Sequence, residues 1–152
     1  MKFIDQLKEK AKQNKKTIVL PETSDMRTIE AAGKVLAEGI ANIILVGDKE
    51  DIMSRAGDID LSGASFVDPK NYEKFDEYVD AFVEMRRKKG MTEARAKELL
   101  LTNVLYFGCI MVKAGDADGM VAGAVNSSAN VLRAALQILK TAPDTKLVSA
   151  FF

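Results

Sequence analysis

Ser127, Ser128 and Arg133 stand together after the run Gly119-Met-Val-Ala-Gly-Ala-Val-Asn126, which reads as strand, small-residue loop and helix start. Met120, Val121 and Ala122 form a short apolar stretch, Gly123 and Ala124 remove bulk at the turn, and Ser127 or Ser128 caps a helix reaching about Lys140. An anion at that loop would meet free N–H groups at the helix start and a basic side chain one turn further on. The same pattern also serves as a plain N-cap, the commoner use of serine ahead of an apolar periodic run. A second basic cluster, Arg86-Arg87-Lys88-Lys89 before Gly90, closes another helix, where cations ordinarily complement the helix dipole. Glu22 and Arg27 flank the loop after an early strand, and a local salt bridge that shapes the loop accounts for them without catalysis. Asp116 and Asp118 among glycines are turn residues first. Cys109, mid-helix without a basic neighbour, reads as a buried, inert thiol.

The elements that must position these groups alternate. Phe3, Ile4, Leu7 and Ala11 share one face of a first helix ending near Asn14, and Thr17–Leu20 is a buried-type strand stopped by Pro21. Ser24 or Asp25 then caps a helix carrying Ile29, Ala32, Leu36 and Ala37, closed by Gly39. Asn42–Val46 is a second strand, followed by a helix through Ile52 and Met53, and Ser65–Val67 is a third short strand. This βαβα order predicts a parallel sheet with right-handed crossovers. Tyr72, Phe75, Val79, Phe82 and Val83 keep helical spacing to Arg87, with the aromatics read as core. Thr92 caps a helix to Leu101, and Asn103 to Ala114 is apolar enough to be buried on most sides. The Gly115–Gly119 turn feeds a central strand, and Lys146–Phe152 has strand composition.

Composition narrows the function. The 152 residues suit one domain, and 22 lysines and arginines balance 22 aspartates and glutamates, so no global field draws the chain to nucleic acid or an anionic membrane. A single cysteine excludes an internal disulfide, and the absence of histidine removes the usual general base and metal ligand. No apolar window of about 18 residues suggests a membrane span, so a soluble cytoplasmic protein is expected.

Taken together, Leu20-Pro-Glu-Thr23 with Arg27, Leu45-Val-Gly47, Val67-Asp-Pro69, Met85-Arg-Arg-Lys-Lys-Gly90, Asp118-Gly-Met-Val-Ala-Gly-Ala124, Ser127-Ser128, Leu132-Arg133, Gln137 and Lys140-Thr-Ala-Pro143 resemble the N-terminal part of the phosphate acetyl/butyryl transferase family. Asn130 stands where the family often has an acidic residue, and Asp144 where it often has glycine. The resemblance implies a three-layer αβα fold with a parallel-type sheet, like the first domain of isocitrate and isopropylmalate dehydrogenases, in a two-domain enzyme. Residues 1–143 would form most of that domain, and 144–152 the first strand of a truncated second one. The implied reaction is reversible acetyl transfer between acetyl phosphate and coenzyme A, giving acetyl-CoA and phosphate in acetate metabolism. Coenzyme A is a substrate here, with no cofactor and no metal, and the full-length form is expected to be a homodimer.

The family's catalytic serine, arginine and aspartate have no matching positions, so no catalytic residue is expected within this chain and the isolated piece should be inactive. The resemblance places Arg133 and Arg86 on coenzyme A, with Arg87 as the register alternative, and implies that Ser127 and Ser128, which the chain's own pattern offers to an anion, meet acetyl phosphate or phosphate. Alternatives are a phosphate butyryltransferase, a non-catalytic phosphate- or nucleotide-binding α/β module, and an interaction or regulatory domain that retains the fold.

Overall fold

The computed structural model describes residues 2–148. Strands β1 (Thr17–Leu20), β2 (Asn42–Val46), β3 (Ser65–Val67) and β4 (Gly119–Met120) pair in parallel in the order β3-β2-β1-β4. Helices α1 (Phe3–Gln13), α2 (Met26–Glu38), α3 (Lys49–Ala56), α4 (Phe75–Arg86), α5 (Glu93–Thr102), α6 (Val104–Lys113) and α7 (Ser128–Ile138) connect and cover them.

Strand periodicity sorts the apolar residues into two layers. Val19, Ile44 and Val46 join a core with Tyr78, Phe82, Leu100, Phe107, Ile110, Ala134 and Ile138 of α4 to α7. Their neighbours Leu20, Ile43 and Leu45 point the other way, to Ile29 and Ala32 of α2 and Ile52 and Ala56 of α3. The result is the expected helix–sheet–helix sandwich. Its strand order reverses beside β1: β2 and β3 extend to one side, and β4 returns on the other. In open parallel sheets ligands bind outside the carboxyl ends of strands at such a switch point.

Local chemistry fixes the helix ends. Asp25, rather than Ser24, caps α2 by accepting from the Arg27 N–H at 2.8 Å, and Gly39 (φ 68°) closes it. Asp48 caps α3, Thr92 caps α5, and Asn103 both ends α5 and caps α6. All seven residues from Leu105 to Met111 are buried, as the apolar run requires. Gly108 sits where α6 crosses the strand ends: a Cβ there would lie 2.6 Å from Met120 Sδ and 3.5 Å from Pro21 Cβ. This close crossing sets α6 directly beneath the two loops that leave β1 and β4.

Three sequence expectations change. The strand expected over Met120–Ala122 is Gly119–Met120, and it lies at the edge of the described sheet rather than at its centre. The Val121 N–H still reaches Val19 O at 3.2 Å, but from Gly123 onward the amides turn to a different acceptor. The apolar face of α1 is not covered among the described residues: Phe3 is 73% exposed, and α1 is tied to α2 by a Lys8–Glu38 salt bridge of 2.8 Å. Residues 144–148 form no strand, and the remainder of the one expected over Lys146–Phe152 lies outside the described residues.

Candidate active-site crevice

β1 delivers Pro21, Glu22 and Thr23 to the switch point, and all three are buried. Thr23 is pinned by its hydroxyl, which donates to Val46 O at 2.6 Å, while Arg55 donates to Thr23 O at 2.8 Å. Between these anchors the Glu22 side chain, 3% exposed, crosses to the loop after β4. Its Oε1 accepts from the N–H groups of Gly123 at 2.5 Å and Ala124 at 2.9 Å. Its Oε2 accepts from the N–H groups of Val125 at 2.9 Å and Asn126 at 2.8 Å, and from Asn126 Nδ2 at 2.9 Å. Gly123, at φ 119°, supplies the backbone turn that lets successive amides converge on one carboxylate. Burial alone would raise the Glu22 pKa, but the donors of Asn126, Val125 and Ala124 outweigh it and hold it at about 2, so Glu22 is an anion at neutral pH.

Glu22 and Arg27 therefore do not form the salt bridge expected from the sequence. Arg27 forks onto Asp25 at 2.7 Å and donates to Ala124 O, also at 2.7 Å. Each residue grips the 123–126 loop separately, one by its amides and the other by a carbonyl. The long span explains why the sequence concealed this: Glu22 and its partners are 101 to 104 residues apart. The only local signal is an acidic residue placed directly after a strand and a proline.

The clamp also corrects the electrostatics expected of the loop. The amides of residues 123–126 are already spent on an internal carboxylate, and the Asn130 N–H is spent on Ser127 Oγ at 3.2 Å, which makes Ser127 the N-cap of α7. What remains for an external anion is the first turn of α7, where the N–H groups of Ser128 and Ala129 have no intrahelical acceptor, with the Ser128 hydroxyl beside them. Ser127, Ser128 and Arg133 are all exposed, and Arg133 Nη1 donates to Asn130 Oδ1 at 2.8 Å. That contact holds the guanidinium along the N-terminal half of α7. A cavity of about 340 Å³ adjoins the clamp, lined by residues following β1, β2 and β3 and by Val125 and Asn126.

The basic end of α4 is built differently. Arg87 is exposed, pairs with Glu84 at 2.6 Å, and borders a hollow that also carries Asp80 and Glu93. Arg86 is partly buried, and its Nε has no hydrogen-bond partner among the described residues. No hydrogen bond among the described residues joins either arginine to the loop. Asp116 and Asp118 do more than turn the chain: Asp116 accepts from the Tyr78 hydroxyl and from Lys74 Nζ at 2.7 Å, and Asp118 accepts from the Thr17 N–H at 2.8 Å. The Cys109 thiol is buried, and burial pushes its pKa up to about 11, which leaves it un-ionised. A larger cavity of about 590 Å³ lies at the opposite end of the sheet, between α2 and the residues around Ile59 to Gly63. No group of three or more potential metal ligands occurs among the described residues, and no helix among them is long and apolar enough to cross a membrane.

Comparison with known proteins agrees with this architecture. Residues 2–152 match the family described as "Phosphate acetyl/butaryl transferase". The whole chain is 55% identical to a phosphate acetyltransferase of Acetivibrio thermocellus and 51% identical to one of Thermoanaerobacterium thermosaccharolyticum, covering 46% of each. Among solved structures, a phosphotransacetylase from Streptococcus pyogenes superposes with a TM-score of 0.87 at 36% identity, over 97% of this chain and 46% of that one. The EutD phosphotransacetylase from Staphylococcus aureus gives 0.84 at 40% identity, over 95% and 44%. The chain thus spans about half the length of the relatives it matches. With that sequence agreement running from residue 2 onward and the same fold beneath it, the chain belongs to the phosphate acetyl/butaryl transferase family.

Proposed function

We propose that this chain is the N-terminal part of a phosphate acetyltransferase, with residues 1–143 forming most of the first domain and 144–152 opening the second. The observation that carries the reading is the switch-point crevice, with a clamped loop leading into an α7 start that offers Ser127, Ser128 and Arg133, in a chain of this family. Ser127 and Ser128 bind the phosphoryl oxygens of acetyl phosphate through hydroxyls and helix-start amides. Arg133 and Arg86 hold coenzyme A, a polyanion suited to charge-assisted guanidinium contacts. Arg86 Nε, without a hydrogen-bond partner among the described residues, favours it over Arg87, whose exposed guanidinium pairs with Glu84.

The coenzyme A sulfur, as thiolate, attacks the acetyl carbonyl. A carbon–sulfur bond forms, the carbon–oxygen bond to phosphate breaks, and inorganic phosphate leaves. The anion-binding groups of α7 stabilise charge gathering on the departing phosphate. The thiol proton needs a base, which we assign to the remainder of the full-length protein. Within the crevice Glu22 has its oxygens saturated, Asp48 and Asp68 accept from nearby backbone amides, and the sequence has no histidine. The full-length protein works as a cytoplasmic homodimer in acetate metabolism, with no metal or redox cofactor.

The test is acetyl-CoA formation from acetyl phosphate and coenzyme A, run on this 152-residue chain and on the full-length product of the same gene. Turnover by the full-length protein alone is expected. Turnover by the short chain would overturn the assignment of the base.

A further inference from the structure

The loop between β4 and α7 is poorly anchored by packing. Val121 is 63% exposed and Val125 56% exposed, and Gly123 and Ala124 are also at the surface. Ala122, partly buried, packs against the core under α4 to α7, but neither apolar cluster includes a residue from 123–127. A short exposed loop with that composition would ordinarily sample many backbone states. Here five donors converge on one buried carboxylate, and a second side chain, Arg27, holds the Ala124 carbonyl. The carboxylate occupies the backbone concavity that would otherwise cradle an external anion. It thus fixes the direction in which the chain enters α7, and with it the positions of Ser127 and Ser128.

We infer that Glu22 is a positioning residue for the acyl phosphate site: an internal anion that orders the 123–126 loop before substrate arrives, so that the α7 start is presented to acetyl phosphate ready-made. This inference rests on the proposed transferase reading. It differs from a purely stabilising role in a measurable way, because residues 123–126 lie at the rim, outside both core clusters. A ligand that must itself order a loop binds more weakly by the fraction of time the loop is competent. The cost therefore falls on the KM for acetyl phosphate, and saturating substrate recovers most of kcat.

The experiment compares full-length wild type with E22Q, an isostere that keeps an acceptor toward Gly123 and Ala124 but turns an N–H₂ toward the donors of Val125 and Asn126. Backbone hydrogen exchange is followed over 121–128 and, as a core reference, over 104–113, and KM and kcat are measured for each substrate. The expected result is exchange about tenfold faster in 121–128, little change in 104–113, a KM for acetyl phosphate about tenfold higher, and a smaller change in the KM for coenzyme A. Unchanged loop exchange would overturn the inference, as would a faster loop with unchanged kinetics. Equal acceleration in 104–113 would reduce Glu22 to a general stabiliser and overturn it as well. A wild-type enzyme without transferase activity would overturn the functional reading together with this one, whereas an active wild type with unaltered E22Q kinetics would overturn this one alone.

Discussion

Two segments of the molecule offer arginines to an anion, and they are held in opposite ways. The loop and helix start at 121–133 are organised from beneath by a buried carboxylate, a proline-led strand end and the close crossing of α6. The end of α4 at 84–90 is a solvated helix terminus whose most exposed arginine is paired with its own neighbour, Glu84. A preorganised group loses little freedom on binding, whereas an exposed, ion-paired side chain must exchange partners and be immobilised. Basic residues alone do not identify a site. What surrounds the backbone next to them decides how much of their charge a ligand can use.

The most severe way to break the contrast is to remove the clamp. Glu22→Leu in the full-length protein should cost about 2 to 3 kcal/mol of stability, as loop donors lose a charged acceptor, and should lower kcat/KM further than E22Q does. Urea denaturation and steady-state kinetics read the two effects. Acid offers the same test without mutation. Because the Glu22 pKa is depressed to about 2 in the folded protein, its contribution is complete above the ordinary glutamate value near 4.5 and is lost as pH falls from there toward 2. Wild type should lose on the order of 3 kcal/mol more than E22Q across that window in urea titrations at successive pH values.

The three arginines should differ from one another by smaller amounts. Arg133→Gln should raise the KM for coenzyme A about tenfold with almost no change in melting temperature, since Arg133 is exposed and its side chain makes one hydrogen bond among the described residues, to Asn130. Arg86→Gln should raise the same KM by about fivefold, and isothermal titration with coenzyme A would separate binding from turnover. Arg87→Gln should stay within about twofold, because it removes only an exposed ion pair of a kind worth about 0 to 1 kcal/mol. A larger effect from Arg87 than from Arg86 would reverse their assignment.

Much of the fold could be read from the sequence because its signals are local. The apolar runs at Thr17–Leu20 and Asn42–Val46, the caps at Asp48 and Thr92 and the closing glycines at 39 and 90 act within a few residues of themselves. Where two candidates competed, the three-dimensional structure chose: Asp25 over Ser24, and Ser127 over Ser128 as the N-cap of α7. The short β4 was misjudged because apolar composition from Met120 to Ala122 says nothing of acceptors across the fold. Pairing with β1 ends at the Val121 N–H, and the amides from Gly123 to Asn126 belong to Glu22. The face of Phe3, Ile4 and Leu7 shows the complementary failure, since amphipathic spacing predicts a buried face without naming what buries it. Ser127, Ser128 and Arg133 were legible as candidates for holding an anion. The residue that arranges their loop was not, since nothing within a hundred residues of Glu22 announces its partners.

On the function proposed above, the α7 start, set in place by the loop after β4, holds the substrate anions of a phosphate acetyltransferase. The most direct test is acetyl-CoA formation by the full-length protein and its R133Q variant, with the concentration of coenzyme A varied at saturating acetyl phosphate. Turnover by wild type is expected, with about a tenfold higher KM for coenzyme A in the variant. Absence of turnover in wild type, or identical KM values in the two proteins, would contradict that function.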